Sequence, residues 1–313
     1  MTKRWTDFIK RPNVIGYVAR TDRYGTTKLV DSANEILLYA LKRSTENPEI
    51  LPDQIYDEYI STRYGEKALE PIKKAFEKAY DIVLSSMYIL GTNAAKHSSM
   101  DYDPYSSSYD RHVSGRWLEP PVVFVEHGIN KEFHYWKDIV NHIAPARFKT
   151  KDSRLGLEAR YVIDRNWVTP VELMDSLYLS YIITEKRYGV SLANEALADI
   201  ERAKELLDPS DYKDLYRLFR RTALTAQLYE AVSTAYFGFR IYAKGESYRY
   251  ENLEEQIRSA LNRIDTVTDE MKSMEGEYPL GQWDWLKDAE TALSYKKKIL
   301  TGWKEYNNVK FEQ

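Results

Sequence analysis

At 313 residues the chain is long enough for one large or two ordinary domains, and 43% apolar with 30% charged residues marks it as globular rather than disordered. Its 45 basic and 48 acidic residues are spread along the chain for a net charge of −3, with no basic stripe to track a nucleic-acid backbone. No cysteine occurs, which excludes disulfides, thiolate metal sites and a cysteine nucleophile.

No apolar run reaches roughly 18 residues, so no membrane span is expected. The start, MTKRWTDFIKRPNV, lacks the apolar core of a signal peptide. Compartment stays open between cytoplasm and periplasm. Aromatic content is the informative deviation, with 26 Tyr and 7 Trp. Both pair an apolar face with a hydrogen-bonding edge, which suits sugar rings and wet helical interfaces alike.

The first element expected is a strand. Asn13 to Ala19 (NVIGYVA) is a short β-branched apolar run, followed by a polar stretch to Lys28 with Gly25 as turn signal. Ser32 and Glu35 then suggest a capping box leading into ILLYALKR. This makes one β/α unit, but a buried strand needs neighbours. Val122 to Val125 is the one other strand candidate.

Asn47-Pro48 breaks the chain, and Pro52 to Thr62 reads as a short helix. A long helix is expected from about Lys67 to Leu90, with Leu69, Ile72, Phe76, Ala79, Tyr80, Val83 and Met87 on one apolar face. Periodicity then stops over 91–151, apart from a short helix expected near Lys131 to His142. An irregular stretch of that length is usually functional or disordered, and its aromatics and the VVFV run argue against disorder.

Helical pattern returns at Thr169-Pro170-Val171-Glu172, a hydroxyl cap followed by Pro at the first helical position. That helix is expected to be interrupted at Gly189 and to continue to Leu207. Asp208-Pro209 opens another, of about 30 residues or roughly 45 Å. It places Leu215, Leu218, Phe219, Thr222, Ala226, Tyr229, Val232, Tyr236 and Phe239 on one face. Helices over about Leu253–Met274 and Trp283–Trp303 complete the chain. The fold expected is mainly α, a bundle of long antiparallel helices with one N-terminal β/α unit. The domains expected are 1–46, holding that unit, and 47–313, helical, with an irregular aromatic and His-rich segment over 91–151.

All five histidines fall in that segment: His97, His112, His127, His134 and His142. Trp117, Trp136 and several tyrosines and carboxylates interleave with them. Donors, acceptors and flat faces together are what a polar ligand pocket needs. The plain alternative is that loops collect polar residues. His97, Trp117, His127 and Trp136 are the binding candidates there, although Trp136, beside Phe133 and Tyr135, suits packing as well. Arg20, Asp22 and Arg23, just past the end of the first strand, are further substrate-binding candidates, since that edge carries the active site in β/α barrels.

No catalytic set is complete. There is no GxSxG, GxGxxG, phosphate loop or HExxH, and DYDPYSSSYD lacks the Gly and Glu spacing of a calcium loop. No catalytic residue, metal ligand or cofactor is assigned.

The order of features is similar to the end of family 67 glycoside hydrolases, the α-glucuronidases. IGYVARTDRYG precedes ANEILLYALKRSTENPEI; PDQIYDEYISTRYG and YGEKALEPI follow; a helix ends in MYILGTNAAKH; and long helices close the chain. The resemblance covers about residues 13–245, mostly as order and spacing. It implies the last β/α unit of a barrel leading into a C-terminal helical region that packs under the barrel, supports dimer contacts and edges the substrate pocket. The family's catalytic carboxylates lie on barrel strands upstream, and nothing here matches them. The His-rich tract directly after the Leu-Gly is not reproduced either.

Two main functions are therefore expected as alternatives. One is the helical, non-catalytic portion of a glycoside hydrolase of polysaccharide degradation. Its partners would be a uronic-acid-containing oligosaccharide and either a homo-oligomer or a β/α barrel domain, with neither nucleic acid nor membrane. The other is a helical interaction or scaffold protein with no sugar role. A self-contained enzyme with an unusual site in 97–142 is the third and smallest option.

Overall fold

The computed structural model describes residues 10–14, 32–89, 92–93, 95–96, 99–100, 176–243, 250–274 and 282–311. Among them the chain is mainly α. In order come α1 (Glu35–Glu46), α2 (Pro52–Tyr64), a 3-10 turn (Glu66–Ala68), α3 (Leu69–Met87), α4 (Ser176–Arg202), a 3-10 turn (Lys204–Leu206), α5 (Pro209–Ala243), α6 (Leu253–Ser273) and α7 (Gln282–Phe311). Between α3 and α4 lie four two-residue strands, β1 (Tyr88–Ile89), β2 (Thr92–Asn93), β3 (Ala95–Lys96) and β4 (Ser99–Met100). They pair antiparallel as β1–β2 and β3–β4.

The N-terminal β/α unit is not seen. Asn13 sits in a turn, Val14 in no regular element, and 15–31 lie outside the described residues. The strand expected at Val122–Val125 and the helix near 131–142 lie outside them too.

Local chemistry explains how α1 and α2 start. At α1 the expected capping box does not form. Ser32 lies too early: Asn34 is the residue before the helix, and its N–H donates to Ser32 Oγ at 3.2 Å. The carbonyl of Ser32 accepts from Glu35 N–H at 3.0 Å, so Glu35 opens the helix instead of closing a box. After α1, Glu49 N–H donates to Asn47 Oδ1 at 3.1 Å, an Asx turn. Pro52 then takes the first position of α2, where its missing N–H costs nothing, and Gln54 Oε1 accepts the Leu51 N–H at 3.0 Å. Gly65, at φ +89°, ends α2 with a backbone that side chains resist.

Three expectations about faces are corrected. On α3 the buried positions are Ile72, Ala75, Phe76, Ile82, Ser85 and Ser86, whereas Tyr80 and Val83 are 73% and 47% exposed. The periodicity was sound, but the buried stripe in the second half is a neighbouring one, because small serines pack there. Helix α4 is not interrupted at Gly189. It runs unbroken from Ser176 to Arg202, and a Cβ at Gly189 would lie 3.1 Å from both Ser85 Cβ and Ser86 Oγ. The glycine serves close approach, not a break. On α5, burial is not confined to one face: every residue from Leu228 to Gly238 is buried.

The described residues fall into two compact units. One draws on Met1–Ala79, Ala193–Thr222 and Glu275–Gln282, the other on Tyr80–Leu192, Ala223–Met274 and Trp283–Gln313. In the first, Phe76 stacks on Phe219 with ring centroids 6.0 Å apart, and Arg63 grips Asp211 through two hydrogen bonds of 3.0 and 2.9 Å. In the second, one continuous apolar cluster joins Met100, Leu179, Ile182, Leu228, Val232, Phe237, Ile257, Ile264, Ile299 and Trp303.

Two predictions follow from packing and ionisation. A Cβ on Gly238 would stand 2.9 Å from Ile257 Cγ1, so Gly238→Val should overpack the α5–α6 contact. We expect a loss of about 1–3 kcal/mol, read from urea unfolding at 222 nm; an unchanged midpoint would show that Ile257 yields freely.

In the first unit Tyr59 packs between Tyr39 and Tyr64, with centroids 5.5 and 6.2 Å away. Burial pushes its hydroxyl up to about 12, and burial raises Tyr39, Tyr56 and Tyr64 as well. A raised folded pKa keeps its stabilising contribution below pH 10 and loses it as pH climbs towards 12. Stability should therefore fall across that window, and Tyr59→Phe should flatten the fall. Parallel pH curves for parent and variant would refute the assignment.

Candidate functional site

Arg20, Asp22, Arg23, His97, Trp117, His127 and Trp136 all lie outside the described residues, as do the other three histidines. What the structure does describe is the framework at both ends of residues 101–175. Met100, before that segment, and Leu179, after it, are buried in the same apolar cluster.

Two buried charges act on the approach to that segment. The first is Lys186 of α4, 1% exposed. Its ammonium donates to the carbonyls of Ser85 at 2.7 Å and Ser86 at 3.0 Å, to the carbonyl of Tyr88, and to Glu185 Oε2 at 3.3 Å. The last carbonyls of a helix have no partner inside it, and a cation near them is favoured by the helix dipole. Lys186 thus closes the end of α3 from a different helix. Burial pushes its pKa below the ordinary lysine range, with the neighbouring Glu185 opposing. The second charge is Asp288 of α7, which is buried and accepts the Met100 N–H on Oδ1 at 2.7 Å.

The same unit holds a further buried carboxylate. Glu230 of α5 accepts from Arg263 of α6 at 2.7 Å, and Arg187 of α4 stands 3.8 Å away. These arginines reach in from exposed positions. The arrangement pairs a buried carboxylate with two arginines.

Among the described residues, no group of three or more His, Asp or Glu is placed to hold a metal ion, and no helix is long and apolar enough to cross a membrane. One open cleft of about 360 Å³ lies along α6 and α7, lined by Asp265, Leu293, Lys296, Lys297, Leu300 and Thr301 among others. Lys296 in it is already engaged by Asp265 and by the Leu261 carbonyl.

Reading the sequence for loops and histidines misses Lys186 and Asp288. A signal for Lys186 is nevertheless present. Leu179, Ile182, Lys186, Gly189, Ala193, Ala196 and Ile200 follow a strict three–four spacing, and all are buried. A lysine and a glycine on an otherwise apolar seam mark a place where another backbone comes close. For Asp288 no such pattern exists.

Comparison of the chain with protein-family models, with curated proteins and with solved structures gives no match.

The buried lysine yields a prediction about pH. Its folded pKa is depressed, so between that value and 10.5 the unfolded chain binds more protons than the folded one. Stability from this group therefore rises with pH in that window. Relative to Lys186→Met, the parent should gain stability as pH is raised towards 10.5. A constant difference between the two curves would mean that the ammonium is not penalised by burial.

Proposed function

We propose that this chain is the helical, non-catalytic portion of a carbohydrate-active enzyme of the α-glucuronidase kind. Its role is to hold the His- and Trp-rich segment against a substrate pocket. The observation that carries the reading is the shared anchoring of the two ends of 101–175: Met100 and Leu179 belong to one buried cluster, and Asp288 fixes the Met100 backbone. A rigid frame at both ends limits the conformations open to the chain between them, which lowers the ordering cost of binding.

Sequence content supplies the ligand class. Imidazoles both donate and accept hydrogen bonds, and Trp and Tyr faces can cover the apolar side of a pyranose. The order of motifs from IGYVARTDRYG to MYILGTNAAKH resembles that of the α-glucuronidases, and on that resemblance the ligand is a uronic-acid-containing oligosaccharide and not a neutral one. In this reading the partner is a β/α barrel domain carrying the catalytic carboxylates, or a second copy of the chain. Glycoside hydrolysis needs two carboxyl groups roughly 5–9.5 Å apart across the sugar. In the family it resembles those carboxylates lie on barrel strands upstream, and nothing in this sequence matches them, so the chain alone should not turn over glycosides.

The scaffold reading has one observation of its own in favour. Tyr80 and Val83, one helical turn apart on α3, are exposed as a partner-facing pair would be.

The test is calorimetric titration of the purified chain with aldouronic acid oligomers, on parent, Trp117→Ala and His127→Ala, with thermal melts in parallel. We expect binding by the parent, weakened about tenfold, roughly 1.4 kcal/mol, in each variant at unchanged melting temperature. A parent that binds no oligosaccharide, with variants that lose only stability, would leave the scaffold reading in its place.

A further inference from the structure

We propose that Lys186 is a positioning residue, which together with Asp288 clamps the stretch from Tyr88 to Met100 at two points and so sets the path by which the chain leaves α3. The consequence for ligand binding rests on the functional reading above; the clamp itself rests on geometry.

At the near point a single ammonium holds two different things. The Ser85 and Ser86 carbonyls belong to the last turn of α3, while the Tyr88 carbonyl belongs to β1. One cation therefore spans the change from helix to strand and fixes the direction of exit. An apolar side chain on the same seam would fill the space but leave buried carbonyls without a donor, at the full cost of their desolvation. Gly189, one turn along α4, makes the reach feasible. Without a Cβ there, the two backbones come close enough for a lysine to lie wholly inside.

At the far point the chemistry is reversed. A buried carboxylate, Asp288, accepts the backbone N–H of Met100, itself in the apolar cluster. Between the two points the described residues pair in two-residue ladders, Tyr88–Asn93 with Ile89–Thr92, and Ala95–Met100 with Lys96–Ser99. Ladders this short do not hold themselves in water. The paired residues at the two ends, Tyr88 and Met100, are thus held from outside, by one charge on α4 and one on α7.

The chain contains no cysteine, so Lys186→Cys introduces a unique thiol. Unfolded protein can be alkylated with 2-bromoethylamine, which rebuilds a lysine-like ammonium, or with iodoacetamide, which leaves a neutral amide, and then refolded. Hydrogen exchange is followed by mass spectrometry on peptides covering residues 85–100, with peptides from α6 as reference. Without an ammonium, exchange over 85–100 should quicken by about tenfold to a hundredfold while α6 is unchanged. Aminoethylation should restore the parental rate and iodoacetamide should not. Asp288→Asn, which keeps an acceptor, should stay near the parent, and Asp288→Leu should quicken the Met100 end.

Should the unmodified variant fail to fold, refolding of the aminoethylated form alone supports the clamp. Unchanged exchange without the ammonium, equal rescue by the neutral adduct, or failure of both adducts to refold overturns it. Oligosaccharide binding is measured on the same samples. A parent that binds nothing sinks the functional reading, and the exchange rates still decide the clamp.

Discussion

A stretch of helix with no wet face constrains what packs around it. From Leu228 to Gly238, α5 is buried at every position, so each of its neighbours must present an apolar stripe or a partner for a polar group. That explains its composition. Alanines at 231 and 235 and Gly238 let other helices come near, and Tyr229 and Phe237 fill the space between. A Cβ at Gly238 would press on Ile257, and Gly302 of α7 comes equally close to Phe239. Close packing of this kind is sensitive to single methylene groups.

Burial on all sides also forces the ionic chemistry. Glu230 cannot point to water, so it draws Arg263 inward from a half-exposed position. Charges taken out of water are costly unless paired and hydrogen-bonded. Lys186 meets the same requirement differently. Its partners are mainly backbone carbonyls, groups that would otherwise be unpaired at the end of α3. One buried charge thus relieves another buried deficit. Pairs of this sort fix geometry more than they add stability.

Aromatic groups complete the α7 side of the same unit. Trp303 is stacked by Tyr242 at 4.8 Å and by Phe239 at 5.8 Å, with the Arg258 guanidinium 5.1 Å from its ring centroid. Such contacts use the abundant aromatics for packing rather than for ligands. The described part of the molecule accordingly reads as a frame. In the functional reading we favour, the segment from 101 to 175 is what the frame carries.

The sequence by itself determined the helical class and most helix positions, because a 3.6-residue apolar period and local caps are chain-level signals. Asp208-Pro209 opens α5, and the expected helices near 52, 253 and 283 are found within a few residues. It also held a mark of Lys186, as the one charged residue on the apolar seam of α4. It did not settle which stripe of α3 is inside, because Tyr80-Val83 and Ser85-Ser86 lie on neighbouring faces and only the approach of Gly189 selects the serines. Nor could it reveal Asp288, one acid among many, whose role arises from a backbone N–H 188 residues earlier in the chain. Periodicity is a property of one helix, whereas burial and partnership depend on what another segment brings to it, and that was decided only by the tertiary structure.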